Sequence, residues 1–235
     1  MQFIGLTLLA FTCLAAFPAA TPALLAPIRS NGTLAAPSNF ALELRAVIRQ
    51  IPKDNIEDLV RIYLLNDVEF QGLIRTVNSV SAYRFYRQLT NQPEVRQLLQ
   101  WLNQQLVLSG GSLKVFDYLE LEIKVFNKYP FWPQLAHGIQ GFQSDLSRIY
   151  PVQLIRSLLE PSASQTSPLL SELWRRLVAL RPVYERVLAT PAGKAITGEL
   201  QRLGVDVGQL DALIRYQFGW SNASLPTYDY VDYFY

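Results

Sequence analysis

Apolar residues recur at helical spacing from Asn39 to Trp220, in short runs broken by Pro, Gly and Ser. Phe40, Leu44, Val47, Ile48 and Ile51 form one stripe, which Pro52 ends. Ile56, Leu59, Val60, Tyr63 and Leu64 form the next, with Asp54 placed to cap it. Leu73, Ile74 and Val77 follow Asp67, and Phe85, Tyr86 and Leu89 follow Ser81. Pro93 opens a run with Val95, Leu98, Leu99, Leu102 and Leu106, because a missing N–H costs nothing in a first helical turn. Beyond Ser109-Gly110-Gly111, the spacing predicts a long helix capped by Ser112 and carrying Phe116, Leu119, Ile123 and Phe126. That makes six helices before Tyr129-Pro130-Phe131-Trp132-Pro133, with no strand-like alternation anywhere, so the chain reads as all-α.

The second half repeats the plan. Ile51-Pro52 with Ile56 and Leu59 matches Tyr150-Pro151 with Ile155 and Leu158, each apolar residue at the same distance from its proline. Phe70, Leu73 and Val77 match Leu170, Leu173 and Leu177; Tyr83 and Tyr86 match Tyr184 and Val187; Pro93 and Leu98 match Pro191 and Ile196. An offset that stays near about a hundred residues across so many punctuated positions marks an internal duplication. Its last helix runs from Asp206, after Gly204, through Leu210, Leu213, Ile214 and Phe218. The expected organisation is a signal peptide over 1–20, a linker over 21–38, a first repeat over 39–128, a turn over 129–133, a second repeat over 134–220 and a tail over 221–235.

Four segments carry a resemblance: Leu44 to Leu65 with its Ile-Pro turn, Asn66 to Leu73 (NDVEFQGL), Gln92 to Leu102 (QPEVRQLLQWL) and Gly204 to Ile214 (GVDVGQLDALI). The chain resembles the insect allergen-related repeat family, which includes cockroach group 1 allergens, midgut microvillar proteins and nitrile-specifier proteins. The second copy departs from the pattern: Ser167-Pro168-Leu169-Leu170 and Pro191-Ala192-Gly193-Lys194 lack the acidic residues, so looser helix starts are expected there.

The resemblance implies two tandem six-helix repeats in one globule of about twelve helices, each apolar stripe turned inward around a large cavity. It also implies that fatty acids or phospholipid acyl chains occupy that cavity, in an insect digestive or secretory setting. The stripe positions then expected to line it are Leu44, Ile48, Leu59, Leu73, Ile74, Val77, Phe85, Leu98, Leu102, Phe116, Leu119 and Ile123 in the first copy. In the second they are Leu173, Leu177, Val187, Ile196, Leu200, Leu213 and Ile214. From the residues alone, excess apolar surface lines a cavity or marks a helix buried on two sides, and spacing does not separate the two.

Composition narrows the function. Half the residues are hydrophobic (50%) and 17% are charged, below the about 25% usual in soluble domains. Twenty-one Lys and Arg against 19 Asp and Glu leave a net charge of +2, too little for a nucleic-acid footprint. With one Cys and one His, the chain has neither an internal disulfide nor a Cys/His zinc site, and no metal or cofactor is expected beyond bound lipid. No G-x-S-x-G, H-E-x-x-H, P-loop or G-x-G-x-x-G is present, His137 follows the inter-repeat turn, and Glu57/Asp58 and Glu120/Glu122 do not share helix faces. No catalytic residue is therefore expected.

The termini speak for secretion. Met1 to Ile28 holds no charged side chain, and Phe3 to Phe17 is an apolar run of signal-peptide length, too short to span a bilayer; Cys13 leaves with it. The sequons at Asn31 and Asn222 lie in polar flanks. After the last helix, Tyr228, Tyr230 and Tyr233 stand beside acidic residues and are candidates for sulfation. Together these features predict a secreted lipid-binding protein without a transmembrane span in its mature chain, and they leave room for association with a membrane surface or matrix. Two other readings stay open: a nitrile-specifier-like modifier of glucosinolate breakdown, and a structural component of a secreted matrix.

Overall fold

In the first half, proline and short polar residues precede most helices, and a glycine stops the last of them. The computed structural model describes residues 39–119, 121, 135–161 and 167–221, and among these it contains helices and turns but no strand. The signal segment, both sequons and the tyrosines of the tail lie outside them, as does Ile123. Helices α1 (Phe40–Ile48), α2 (Lys53–Asn66), α3 (Val68–Val77), α4 (Val80–Thr90) and α5 (Pro93–Leu108) come first. After the gap in description follow α6 (Gly138–Ile149), α7 (Val152–Leu159), α8 (Pro168–Val178), α9 (Arg181–Leu188), α10 (Pro191–Arg202) and α11 (Val207–Gln217).

The helix starts show how punctuation becomes geometry. Pro52 precedes α2 with φ −77° and ψ 73°, and Pro151 precedes α7 with φ −83° and ψ 63°. Both are inverse γ-turns, in which Lys53 N–H donates to the Ile51 carbonyl (2.8 Å) and Val152 N–H to that of Tyr150 (2.9 Å). Asp54 therefore lies inside the first turn of α2, where its charge favours the positive end of the helix, and does not cap it. The starts expected to be looser are side-chain capped. Ser167 Oγ accepts from Leu170 N (3.2 Å) and Thr190 Oγ1 from Gly193 N (3.1 Å), because a hydroxyl serves an N-cap as well as a carboxylate. The stops also correspond: Gly110 (φ 73°) and Gly204 (φ 86°) take the left-handed position after α5 and α10. Gly111 N–H then reaches the Leu106 carbonyl (2.7 Å), and Val205 N–H reaches that of Leu200 (3.1 Å).

One expected element is different. Leu113–Leu119 forms a 3-10 segment rather than the start of a long α-helix, because Ser112 Oγ accepts from Lys114 N two residues on (3.3 Å) and Val115 N–H bonds back to the Ser112 carbonyl (3.1 Å). Phe116 and Leu119 are nonetheless buried, against α1.

The N-terminal and C-terminal helices cover one another, α1 lying on α7 and α8, α2 and α3 on α6, and α4 on α9 and α10. Asp67 binds one such junction. Its Oδ1 accepts from Phe70 N (2.8 Å), capping α3, and its Oδ2 accepts from Gly138 N (2.8 Å) at the start of α6. One nearly buried carboxylate thus satisfies the N-termini of two helices from different halves. Beside it Tyr63, Phe70 and Phe142 form an aromatic cluster with centroids 4.4 to 5.7 Å apart, and Tyr63 donates to Asp145 Oδ2 (2.7 Å). Burial, with the Asp145 carboxylate, pushes the Tyr63 phenol above its ordinary range. Replacing Asp67 by Ala should lower unfolding stability by about 2 kcal/mol, and Asp67→Asn, which keeps one acceptor, by roughly half as much. Urea denaturation of the two variants checks this order; equal losses would count against the double cap.

Candidate functional site

Helix α4 has its apolar residues Ala82, Phe85, Tyr86 and Leu89 at positions i, i+3, i+4 and i+7, the spacing of a core-facing stripe. None of these four is fully buried, and Thr90 alone is buried in the helix. The stripe is not wasted on solvent. It forms one wall of a cavity of about 460 Å³, within the range of small-molecule sites. Val77 closes it at the end of α3, and Val95, Leu98 and Leu99 of α5 form its floor. The opposite side comes from the C-terminal helices: Leu177 of α8, Val183 and Leu188 of α9, Ile196 and Leu200 of α10, and Leu210 and Ile214 of α11, with Phe218 beyond.

The walls come from both halves, and polar ties hold them together. Ser81 Oγ donates to Glu199 Oε1 (3.0 Å) between α4 and α10, and Thr190 Oγ1 donates to Gln88 Oε1 (2.9 Å). Arg186 on α9 reaches Glu94 Oε1 and Gln92 Oε1, each at 2.9 Å. The Arg186 guanidinium holds the half-buried Glu94 carboxyl below its usual range. At one edge the cavity meets polar residues: Tyr184, Thr197, Gln201, Asp211 and Arg215. There Tyr184 donates to Asp211 Oδ1 (2.9 Å) and Arg215 Nε donates to Asp211 Oδ2 (2.7 Å). The Trp220 ring lies 5.1 Å from those of both Tyr184 and Phe218, and its indole N–H donates to the Leu177 carbonyl (3.1 Å).

Of the stripe positions expected to line a cavity, Val77, Phe85, Leu98, Leu177, Ile196, Leu200 and Ile214 are on its walls. Leu44, Ile48, Leu59, Leu73, Leu102, Phe116, Leu119, Leu173 and Val187 are buried in the core and are not among its walls, and Ile74 and Leu213 pack half-buried against that core. Several wall residues escaped the expectation. Leu89 and Leu188 continue their stripes by one turn from Phe85 and Tyr184, a signal that was readable; the polar edge of Thr197, Gln201, Asp211 and Arg215 carries no pattern. Also unforeseen is Arg156, buried on α7, which donates to the carbonyls of Tyr216 (3.1 Å) and Ser221 (3.2 Å) and so closes the end of α11.

Among the described residues there is no group of three or more His, Cys, Asp or Glu placed to hold a metal, and no helix long and apolar enough to cross a membrane. His137 stands at the start of α6, its carbonyl accepting from Gly141 N (3.2 Å). What the geometry defines is a protein whose described residues are all-α, with an apolar, partly open cavity between its N-terminal and C-terminal helices. Residues 39–211 match the family described as insect allergen related repeat, nitrile-specifier detoxification, and the chain belongs to that family. No curated protein matches it.

The packed core and the cavity wall respond differently to substitution. Leu102→Ala, at a fully enclosed position, should cost about 2–5 kcal/mol in denaturant unfolding. Leu98→Trp, one turn away but on the cavity wall, should keep a cooperative transition while reducing uptake of an apolar fluorescent probe several-fold, roughly as a filled site requires.

Proposed function

We propose that the protein is a secreted carrier that holds lipid acyl chains, from fatty acid or phospholipid, in the cavity between α4 and the C-terminal helices. The observation that carries this reading is α4 itself: a helix with a complete apolar stripe, none of it fully buried, that lines an apolar cavity. Binding then comes from apolar area, at roughly 0.8 kcal/mol per buried methylene, with tolerance of chain length. In this reading the two halves are tandem repeats of six helices each, 39–128 and 134–220. The paired γ-turns at Pro52 and Pro151 and the paired glycine stops at Gly110 and Gly204 support the duplication. Organic extraction of the full chain secreted from animal cells, followed by mass spectrometry, should release about one acyl-chain lipid per cavity. Material that is stable and free of lipid as isolated would contradict the carrier reading.

The family's description speaks more directly for a second reading, a nitrile-specifier-like modifier that redirects glucosinolate breakdown. No residue of the cavity supplies acid, base or nucleophile chemistry for this by motif, so such an action would work by capturing an apolar intermediate. Nitrile yield from a glucosinolate and its hydrolase, measured with and without the protein, decides it: a raised nitrile fraction supports this reading and an unchanged one removes it.

A further inference from the structure

Helix α4 has a second face. Val80, Tyr83, Arg84 and Arg87 recur at i, i+3, i+4 and i+7, turned away from the stripe that lines the cavity, and all four are exposed. Val80 is 66% exposed and Tyr83 54%, so two large apolar side chains stand in water beside two cations. Helix α10 continues this face. The bonds from Ser81 to Glu199 and from Thr190 to Gln88 set α4 and α10 side by side and antiparallel. Because Ile196 and Leu200 of α10 face the cavity, its exposed Ala195 and Arg202 lie on the same outer side as Arg84. Gly198 lies between those two, and a side chain added there would meet nothing within 4 Å. The positive charge of this face is not neutralised. Helix α4 contains no acidic residue, and Arg84, Arg87 and Arg202 form no ion pair among the described residues. Glu199, the one acidic residue of α10, stands between the two helices, where it accepts from Ser81. On α9 and α11, by contrast, Arg181, Arg186 and Arg215 are each paired with a carboxylate. Exposed aliphatic and aromatic groups beside unpaired arginines fit a surface that takes both, the apolar groups entering the acyl boundary and the guanidinium groups binding anionic head groups. A second copy of the chain brings the same cations to this face and is repelled by them.

We propose that the outer face of α4, with Arg202 of α10, seats the protein on an anionic lipid surface. The docking rests on this outer face alone; only its use, bringing the cavity to a source of acyl chains, rests on the carrier reading. The test is co-sedimentation of the full chain with phosphatidylcholine vesicles and with mixed phosphatidylcholine and phosphatidylglycerol vesicles. The native chain should partition onto the mixed vesicles at least about tenfold more strongly than onto the neutral ones, and high salt should remove the preference. Arg84→Gln/Arg87→Gln should weaken partitioning onto mixed vesicles by more than about tenfold, each arginine counting for about fivefold. Arg84→Lys/Arg87→Lys, which keeps the charge, should stay within about twofold of the native chain. Arg45→Gln/Arg49→Gln removes the same charge from exposed positions of α1 and should also stay within about twofold. Equal partitioning onto the two kinds of vesicle, or equal losses from the α4 and α1 glutamine variants, overturns the docking and leaves the carrier reading standing. A dimer in solution that Tyr83→Ser dissociates would give the face to a second copy and overturn it as well. A chain isolated free of lipid that still partitions onto mixed vesicles through Arg84 and Arg87 removes the carrier reading and keeps the docking.

Discussion

The constraint behind the whole architecture is that the helices are too short to stand alone. They run from 8 to 16 residues, and isolated helices below about 12–15 residues are marginal in water. Each one therefore depends on covering its apolar stripe, and the cover comes from neighbours in its own half and from the other half of the chain. At α2, α3 and α6 the cover is complete: Tyr63, Phe70 and Phe142 interlock and Asp67 ties two helix starts together. At α4 it is incomplete. That helix is tied to α9 and α10 by Ser81, Gln88 and Thr190, yet its Phe85 and Leu89 face a space that protein does not fill.

Stability and capacity thus occupy different parts of one fold. The aromatic junction and the packed interior around Leu44, Ile48 and Leu102 supply the apolar burial that holds the chain together. The cavity forgoes some of that burial, and an apolar guest would restore it. At the edge beside Trp220, Tyr184, Asp211, Arg215 and Glu185 form a connected set of polar contacts.

Much of this was legible in the chain. Stripe spacing located the helices, and proline, glycine and the capping residues Asp67 and Asp206 located several of their ends, because those residues act through local backbone geometry; the start read at Ser81 falls two residues earlier, at Ser79. What stayed illegible depends on partners far along the chain. Leu98 and Leu102 occupy one stripe of α5 at i and i+4, yet the first faces the cavity and the second the solid core, and only the helices packed opposite decide which. Local competition explains the segment after Gly111: Ser112 offered the backbone a two-residue turn, and a 3-10 segment formed where apolar spacing alone reads as α-helix. Arg156 was illegible for a different reason, since a buried guanidinium that caps α11 from α7 leaves no periodic trace.

The central claim is that α4 covers a space meant for a guest. A crystal structure of the full chain, purified without delipidation from a secretory animal host, tests this most directly. The account predicts continuous elongated density between Phe85, Leu98 and Ile214, with α4 packed on α9 and α10 as described. An empty site, with the space between Phe85, Leu98 and Ile214 closed by side chains, would contradict it.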